Sequence, residues 1–208
     1  MPKKLNRLQV EETLKSKGIL FFSPQELSDI FDVTKTATAS FIASNLKSGL
    51  FLKLKANCYV LKDSQPSLYF LANKLYQPSY VSLETALSFY GVIPETVYTL
   101  TSLTTKPTRE FFTPKGTFSY QKIKKTVFFG YLPLKIENNL VYFASIEKAL
   151  ADYLYFVDLK KISLNERLDL KKINKKELLK WCLLFNRPSL LKLIEQIYVN
   201  QRNLNKIN

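Results

Sequence analysis

The chain contains no histidine and only two cysteines, Cys58 and Cys182. Without histidine there is no Ser-His-Asp or Cys-His relay, which removes most hydrolytic catalysis. Two cysteines so far apart, with no imidazole to join them, cannot supply an ordinary zinc site. Both stand in apolar surroundings, beside Tyr59 and Val60 or beside Trp181 and Leu183, and are expected to be buried structural thiols. Glycine is scarce, five in 208 residues, and no glycine-rich phosphate loop is present. No apolar run approaches the roughly 20 residues that cross a bilayer. The basic start, Met1–Arg7, leads into Gln9, Glu11 and Glu12 rather than into the apolar core of a signal peptide. The expectation is a cytoplasmic protein with no membrane partner, no metal and no cofactor.

Apolar residues make up 46% of the chain and aromatic residues 13%, which excludes a wholly disordered protein and suits one large core or two small ones. The charge is strongly positive, 31 Lys+Arg against 17 Asp+Glu, a net of +14. Residues 1–62 carry 10 basic and 5 acidic groups, residues 63–157 carry 9 and 7, and residues 158–208 carry 12 and 5. Basic ends around a nearly neutral middle suit contact with phosphates. An AT-rich genome, which favours lysine codons, would produce the same excess.

The first 62 residues read as helix, short helix, tight turn, helix and hairpin. Leu5, Leu8 and Leu14 sit near helical spacing, with Gly18 after the last turn. Ser23, Pro24 and Glu26 form the start of a second helix, with a hydroxyl cap, a proline in the first turn and a glutamate that reaches back. Asp32 and Val33 make a turn, and Thr34 caps a third helix over about 35–48. Leu50–Leu54 and Cys58–Leu61 then form a hairpin around Lys55, Ala56 and Asn57. This is the order of a winged helix-turn-helix, whose third helix enters the major groove. At 100° per residue, Ala39, Ile42 and Leu46 form its core stripe, with Lys35 starting on the same side. Thr36, Ala37, Ser40, Ser44 and Lys47 lie opposite. The expected DNA contacts are Thr36, Ser40 and Ser44 on the helix, Lys35 and Lys47 on phosphates, and Lys53, Lys55 and Asn57 on the wing. A protein-interaction role for the same module is the alternative.

From Pro66 onward the pattern changes to an α+β module spanning 66–208. Leu68–Ala72 is a short apolar segment. Ser82 is placed to cap a helix carrying Leu83, Ala86, Leu87 and Tyr90, which ends at Gly91. Strands are expected at Val97–Thr101, Arg109–Thr113, Thr117–Lys122, Thr126–Tyr131, Leu134–Glu137 and Leu140–Ala144. Ser145 caps a further helix containing Ile146, Ala149, Leu150, Tyr153 and Leu154.

Four stretches, YVSLETALSFYGVIPE (80–95), TSLTTKPTREFFTPKGTFSY (101–120), FFGY (128–131) and FASIEKALADYLY (143–155), stand in this order behind the N-terminal segment. Together they resemble the AbiEi-type antitoxins, transcriptional regulators of bacterial type IV toxin–antitoxin systems. The resemblance covers roughly residues 5–157. It implies that the winged helix binds inverted repeats in its own promoter as double-stranded DNA, in two copies, and represses the operon. It also implies that the second module counters a nucleotidyltransferase-like toxin without a stable complex. Two alternatives are an antitoxin that binds its toxin directly and a plain winged-helix transcription factor. The resemblance carries over no catalytic residue.

At the C-terminal end, residues 174–185 and 188–198 read as two amphipathic helices joined at Asn186, Arg187 and Pro188. Lys160, Lys161, Lys171, Lys172, Lys175 and Lys176 cluster before and at their start. They suit either a solvated face or a second contact to nucleic acid or an acidic partner. Asp158 with Lys160, and Asp169 with Lys171, echo half of a metal-nuclease motif. No preceding Pro-Asp strand completes it, so the expectation is a non-enzyme.

Overall fold

The structure, a computed structural model, describes residues 4–207, with side chains described to residue 200. Local capping sets the first elements. Helix α1 (Arg7–Ser16) starts at Asn6, whose side chain accepts from the amides of Leu8 and Gln9. Helix α2 (Pro24–Phe31) starts at the expected capping box: Glu26 N–H donates to Ser23 Oγ at 3.2 Å, and Ser23 N–H donates to Glu26 Oε2 at 2.7 Å. Asp32, left-handed at φ 52°, ends α2, and Thr34 caps α3 (Lys35–Lys47). A hairpin of β1 (Phe51–Lys55) and β2 (Cys58–Leu61) follows, its turn closed by Asn57 at φ 59°. Phe22 forms an isolated bridge to Tyr59, so a third short extended segment lies against the hairpin. Val10, Leu14, Phe22, Leu27, Ile42, Phe51, Tyr59 and Leu61 form the core beneath these elements. Leu8 was expected inside but is 69% exposed, because Val10 and Leu14 face the core instead.

The remaining elements build an α+β unit around a six-stranded mixed sheet of order β5-β6-β4-β3-β8-β7. Its strands are β3 (Ser79–Val81), β4 (Thr99–Thr104), β5 (Arg109–Thr113), β6 (Gly116–Lys122), β7 (Tyr131–Ile136) and β8 (Asn139–Ala144). Pairing is parallel between β3 and β8 and between β4 and β6, and antiparallel elsewhere. Helix α4 (Leu68–Leu75) covers one face, where Tyr120 donates its hydroxyl to the Ala72 carbonyl at 2.6 Å. Helix α6 (Ile146–Asp158) covers the other, where Tyr80 donates to Asp152 at 3.0 Å. Tyr80 pairs with Leu103 and Tyr120 with the adjacent Ser102, so the strand alternation sends the two tyrosines to opposite faces. Helix α5 (Leu83–Tyr90) packs on β4 and α6; helices α7 (Lys175–Leu183) and α8 (Pro188–Ile207) pack outside α6.

Two expected elements change. Residues Lys125–Val127 form a 3-10 turn rather than the start of a strand, and β7 begins only at Tyr131, after Gly130 at φ 83°. The strand expected at Val97–Thr101 is β4, shifted to Thr99–Thr104.

The hairpin belongs to two cores at once. Phe51, Tyr59 and Leu61 point into the N-terminal core, whereas Leu54, Cys58 and Val60 point into the core of the larger unit. Its alternating register, Phe51 opposite Leu61 and Leu52 opposite Val60, divides the two sets. Two further contacts join the parts. Lys115 Nζ donates to the carbonyls of Lys62 (3.2 Å) and Ser64 (2.7 Å), and Lys55 Nζ lies 5.3 Å from the centre of the Phe111 ring. Among the described residues no helix is long and apolar enough to cross a membrane.

Candidate nucleic-acid interface

The surface of α3 is set by which side chains satisfy themselves. Thr38 and Asn45 are buried although polar. Thr38 donates its hydroxyl to the Thr34 carbonyl at 3.1 Å, and Asn45 donates its amide to the Phe41 carbonyl at 2.9 Å. With their polar atoms bonded to their own helix, both can face the core beside Ile42 at little cost. The fully buried residues of α3 are therefore Thr38, Ile42 and Asn45, with Phe41 and Leu46 partly buried against the same core; of the expected stripe, Ala39 alone faces outward. Relative to the hydrophobicity-based reading, the buried face is turned by roughly 65° at 100° per residue. Ala39 and Lys35 are exposed and Leu46 is half-buried.

The exposed arc thus comprises Lys35, Thr36, Ala39, Ser40, Ala43, Ser44 and Lys47. Lys35 and Lys47 mark its two ends, about 18 Å apart at 1.5 Å per residue. No acidic residue lies on it. Between α3 and the hairpin tip runs a groove of about 530 Å³, whose α3 wall is Lys35, Ala39, Ile42, Ala43 and Leu46. Asn57 and Tyr59 line the opposite side, and Pro24 and Gln25 close the end. Lys53 and Asn57 are exposed on the hairpin. Lys55 is half-buried, and its ammonium rests over Phe111, so this lysine joins the two parts of the chain rather than standing free on a wing.

The six C-terminal lysines are not one uniform patch. Lys172 donates to the Tyr90 carbonyl at 3.1 Å, where α5 ends. Lys175 sits 4.7 Å from the Tyr198 ring centre and Lys161 5.6 Å from that of Phe156. All six are exposed, including Lys160, Lys171 and Lys176. The two nuclease-like pairs do not converge either. Asp158 is ion-paired with Arg187, and Asp169 accepts the backbone amide of Lys171 at 3.0 Å. Among the described residues no cluster of three histidine, cysteine or acidic side chains is placed to hold a metal ion.

A buried polar cluster at the centre of the larger unit was not among the expected sites. Lys148 and Asp152, one turn apart on α6, form an ion pair with both side chains at most 2% exposed. Ser82 donates to Asp152 at 2.9 Å, Tyr80 donates to it at 3.0 Å, and Lys148 also lies 3.0 Å from the Tyr80 hydroxyl. Ser82 therefore spends its hydroxyl on Asp152 and makes no cap bond to α5, contrary to the sequence reading. Burial pushes the Asp152 carboxyl upward, while Lys148, Ser82 and Tyr80 pull it back. Burial and the neighbouring Asp152 raise the Tyr80 phenol well above its ordinary range. The Tyr80 ring stacks on Tyr131 at 4.6 Å, and Phe128 lies 5.2 Å away. Cys182 lies close by, its thiol pushed up to about 12, chiefly by burial. Both cysteines are free and buried, as expected.

These four polar residues come from the first and last of the four family-like stretches, 80–95 and 143–155. The available signal was a lysine and an aspartate four residues apart in the otherwise apolar run from Lys148 to Phe156. The cluster is buried, and its hydrogen bonds tie β3 to α6. No family model matches this chain, and no curated protein matches it.

Proposed function

We propose that the chain is a DNA-binding autorepressor whose residues 1–62 form a winged helix-turn-helix, joined to a second module, 66–208, that acts as an antitoxin. The single observation that carries the DNA-binding part is the exposed arc of α3. It is small, free of acidic residues, and bounded by Lys35 and Lys47, so the helix can approach a groove floor with a cation for each flanking strand. The element order and the Phe22–Tyr59 bridge against the hairpin support the winged-helix reading. The antitoxin part, directed at a nucleotidyltransferase-like toxin, follows from the sequence resemblance. The buried contacts between Tyr80, Ser82, Lys148 and Asp152 give two of the resembling stretches a shared structural reason.

A gel shift on the DNA upstream of the chain's own coding sequence, against scrambled competitor, tests the reading. Discrete, salt-sensitive shifts that survive the competitor are expected. Their absence would reassign the N-terminal module to protein interaction.

One observation favours a second reading for the larger unit, in which it binds a toxin directly. Strand β7 is an open sheet edge, and Leu132, Leu140 and Tyr142 on β7 and β8 are 61%, 70% and 51% exposed. Retention of a co-expressed toxin through a column would establish direct binding; separate elution would support action without a stable complex.

A further inference from the structure

The arc of α3 also restricts what the helix can read, if it binds duplex DNA as proposed above. Guanine is read by a cation at its N7 and O6 edge, adenine by Asn or Gln, and cytosine by a carboxylate. On α3 the only cations stand at the two ends, where they suit phosphates. Asn45 is buried and bonded to its own helix, so it presents no amide to a base. Gln25, at the end of the groove, donates to Asp29 at 2.7 Å. No carboxylate lies on the exposed arc. Midway along the arc, Ala39 and Ala43 stand on its groove side, and the hydroxyls of Thr36, Ser40 and Ser44 lie on the other side. Behind the two alanines the groove continues along Ile42 and Leu46. Its α3 wall is apolar apart from Lys35 at one end.

Among the base edges of the major groove only thymine presents an apolar group, its 5-methyl. We infer that α3 selects its sites by seating thymine methyl groups against Ala39 and Ala43, with Lys35 and Lys47 holding the flanking phosphates. The operator would then carry thymines at the positions facing the middle of α3, and its guanines would lie outside the helix contacts. This inference rests on the DNA-binding reading and adds the base that is read.

Uracil tests it, because it pairs as thymine does and lacks only the methyl. Duplexes enriched by the protein from a randomised library would be resynthesised with each thymine replaced in turn by uracil, and binding measured at fixed salt. The expected loss is about fourfold for each contacted methyl, the value of burying one such group, and more than tenfold for two. Ala43→Ser should shrink the thymine-over-uracil preference at one position while leaving the salt dependence intact. Sequence-specific binding indifferent to uracil would overturn the inference and leave DNA binding standing. Failure to enrich any duplex would overturn the DNA-binding reading and the inference together.

Discussion

Lys148→Met is expected to destabilise the protein by about 3–5 kcal/mol, because it strands the Asp152 carboxylate in a site with no solvent contact. Lys148→Met combined with Asp152→Leu should cost less than the sum of the two single changes, because each single change strands one buried charge and the double change strands none. The physical difference is the uncompensated charge. In the double variant only the hydroxyls of Tyr80 and Ser82 lose an acceptor, at about 1–3 kcal/mol each. The single variant also acquires a pH dependence of known sign. Asp152 is already pushed up by burial, and losing Lys148 removes a group that pulls it back. A carboxyl whose folded pKa lies above its unfolded value favours the folded state most below the unfolded value. That contribution is lost as pH rises through the folded pKa. The deficit of Lys148→Met relative to wild type should therefore shrink as pH falls towards 4. Urea unfolding with matched slopes, at two pH values, reads both effects. A double variant at least as unstable as the sum of the two single changes would contradict this role for the pair.

Gly130→Ala should cost about 2 kcal/mol more than Gly91→Ala. Both glycines are left-handed, at φ 83° and 68°, so an alanine pays a similar backbone penalty of about 1 kcal/mol at either site. Only Gly130 is also hemmed in. A methyl there would stand 2.6 and 2.8 Å from ring carbons of Trp181 and 3.1 Å from Lys148 Cδ. Trp181 would have to shift, a strain of about 1–3 kcal/mol. A methyl at Gly91 meets only the end of the flexible Lys172 chain, at 3.4 Å. Equal melting shifts for the two substitutions would show that Trp181 gives way freely and that Gly130 is needed only for its backbone angle.

What was legible in the sequence was local. The Ser23–Glu26 capping box, the Thr34 and Ser145 caps and the Asn57 turn each depend on neighbours within a few residues, and each is present. Strand Arg109–Thr113 matched to the residue because its turn signals bound it on both sides. Three things escaped, for physical reasons. The orientation of α3 was misread because Thr38 and Asn45 are polar by type but satisfied by their own backbone. Ser82 has the chemistry of a cap, yet its partner Asp152 lies 70 residues away, beyond any local pattern. The alternation of Val127, Phe129 and Tyr131 reads as a strand, but the turn at Lys125–Val127 and the left-handed Gly130 carry that chain across the cluster before pairing begins.

The α3 surface is the central claim, and the salt dependence of duplex binding tests it most directly. Fluorescence anisotropy of a labelled upstream duplex, titrated at several salt concentrations, gives the slope of log affinity against log salt for wild type and for Lys35→Ala with Lys47→Ala. Each phosphate contact contributes roughly 0.9 to that slope. Loss of two such contacts should therefore flatten it by close to 2, with weaker binding at every salt concentration. An unchanged slope in the double variant would place the DNA contacts on another surface and contradict the account.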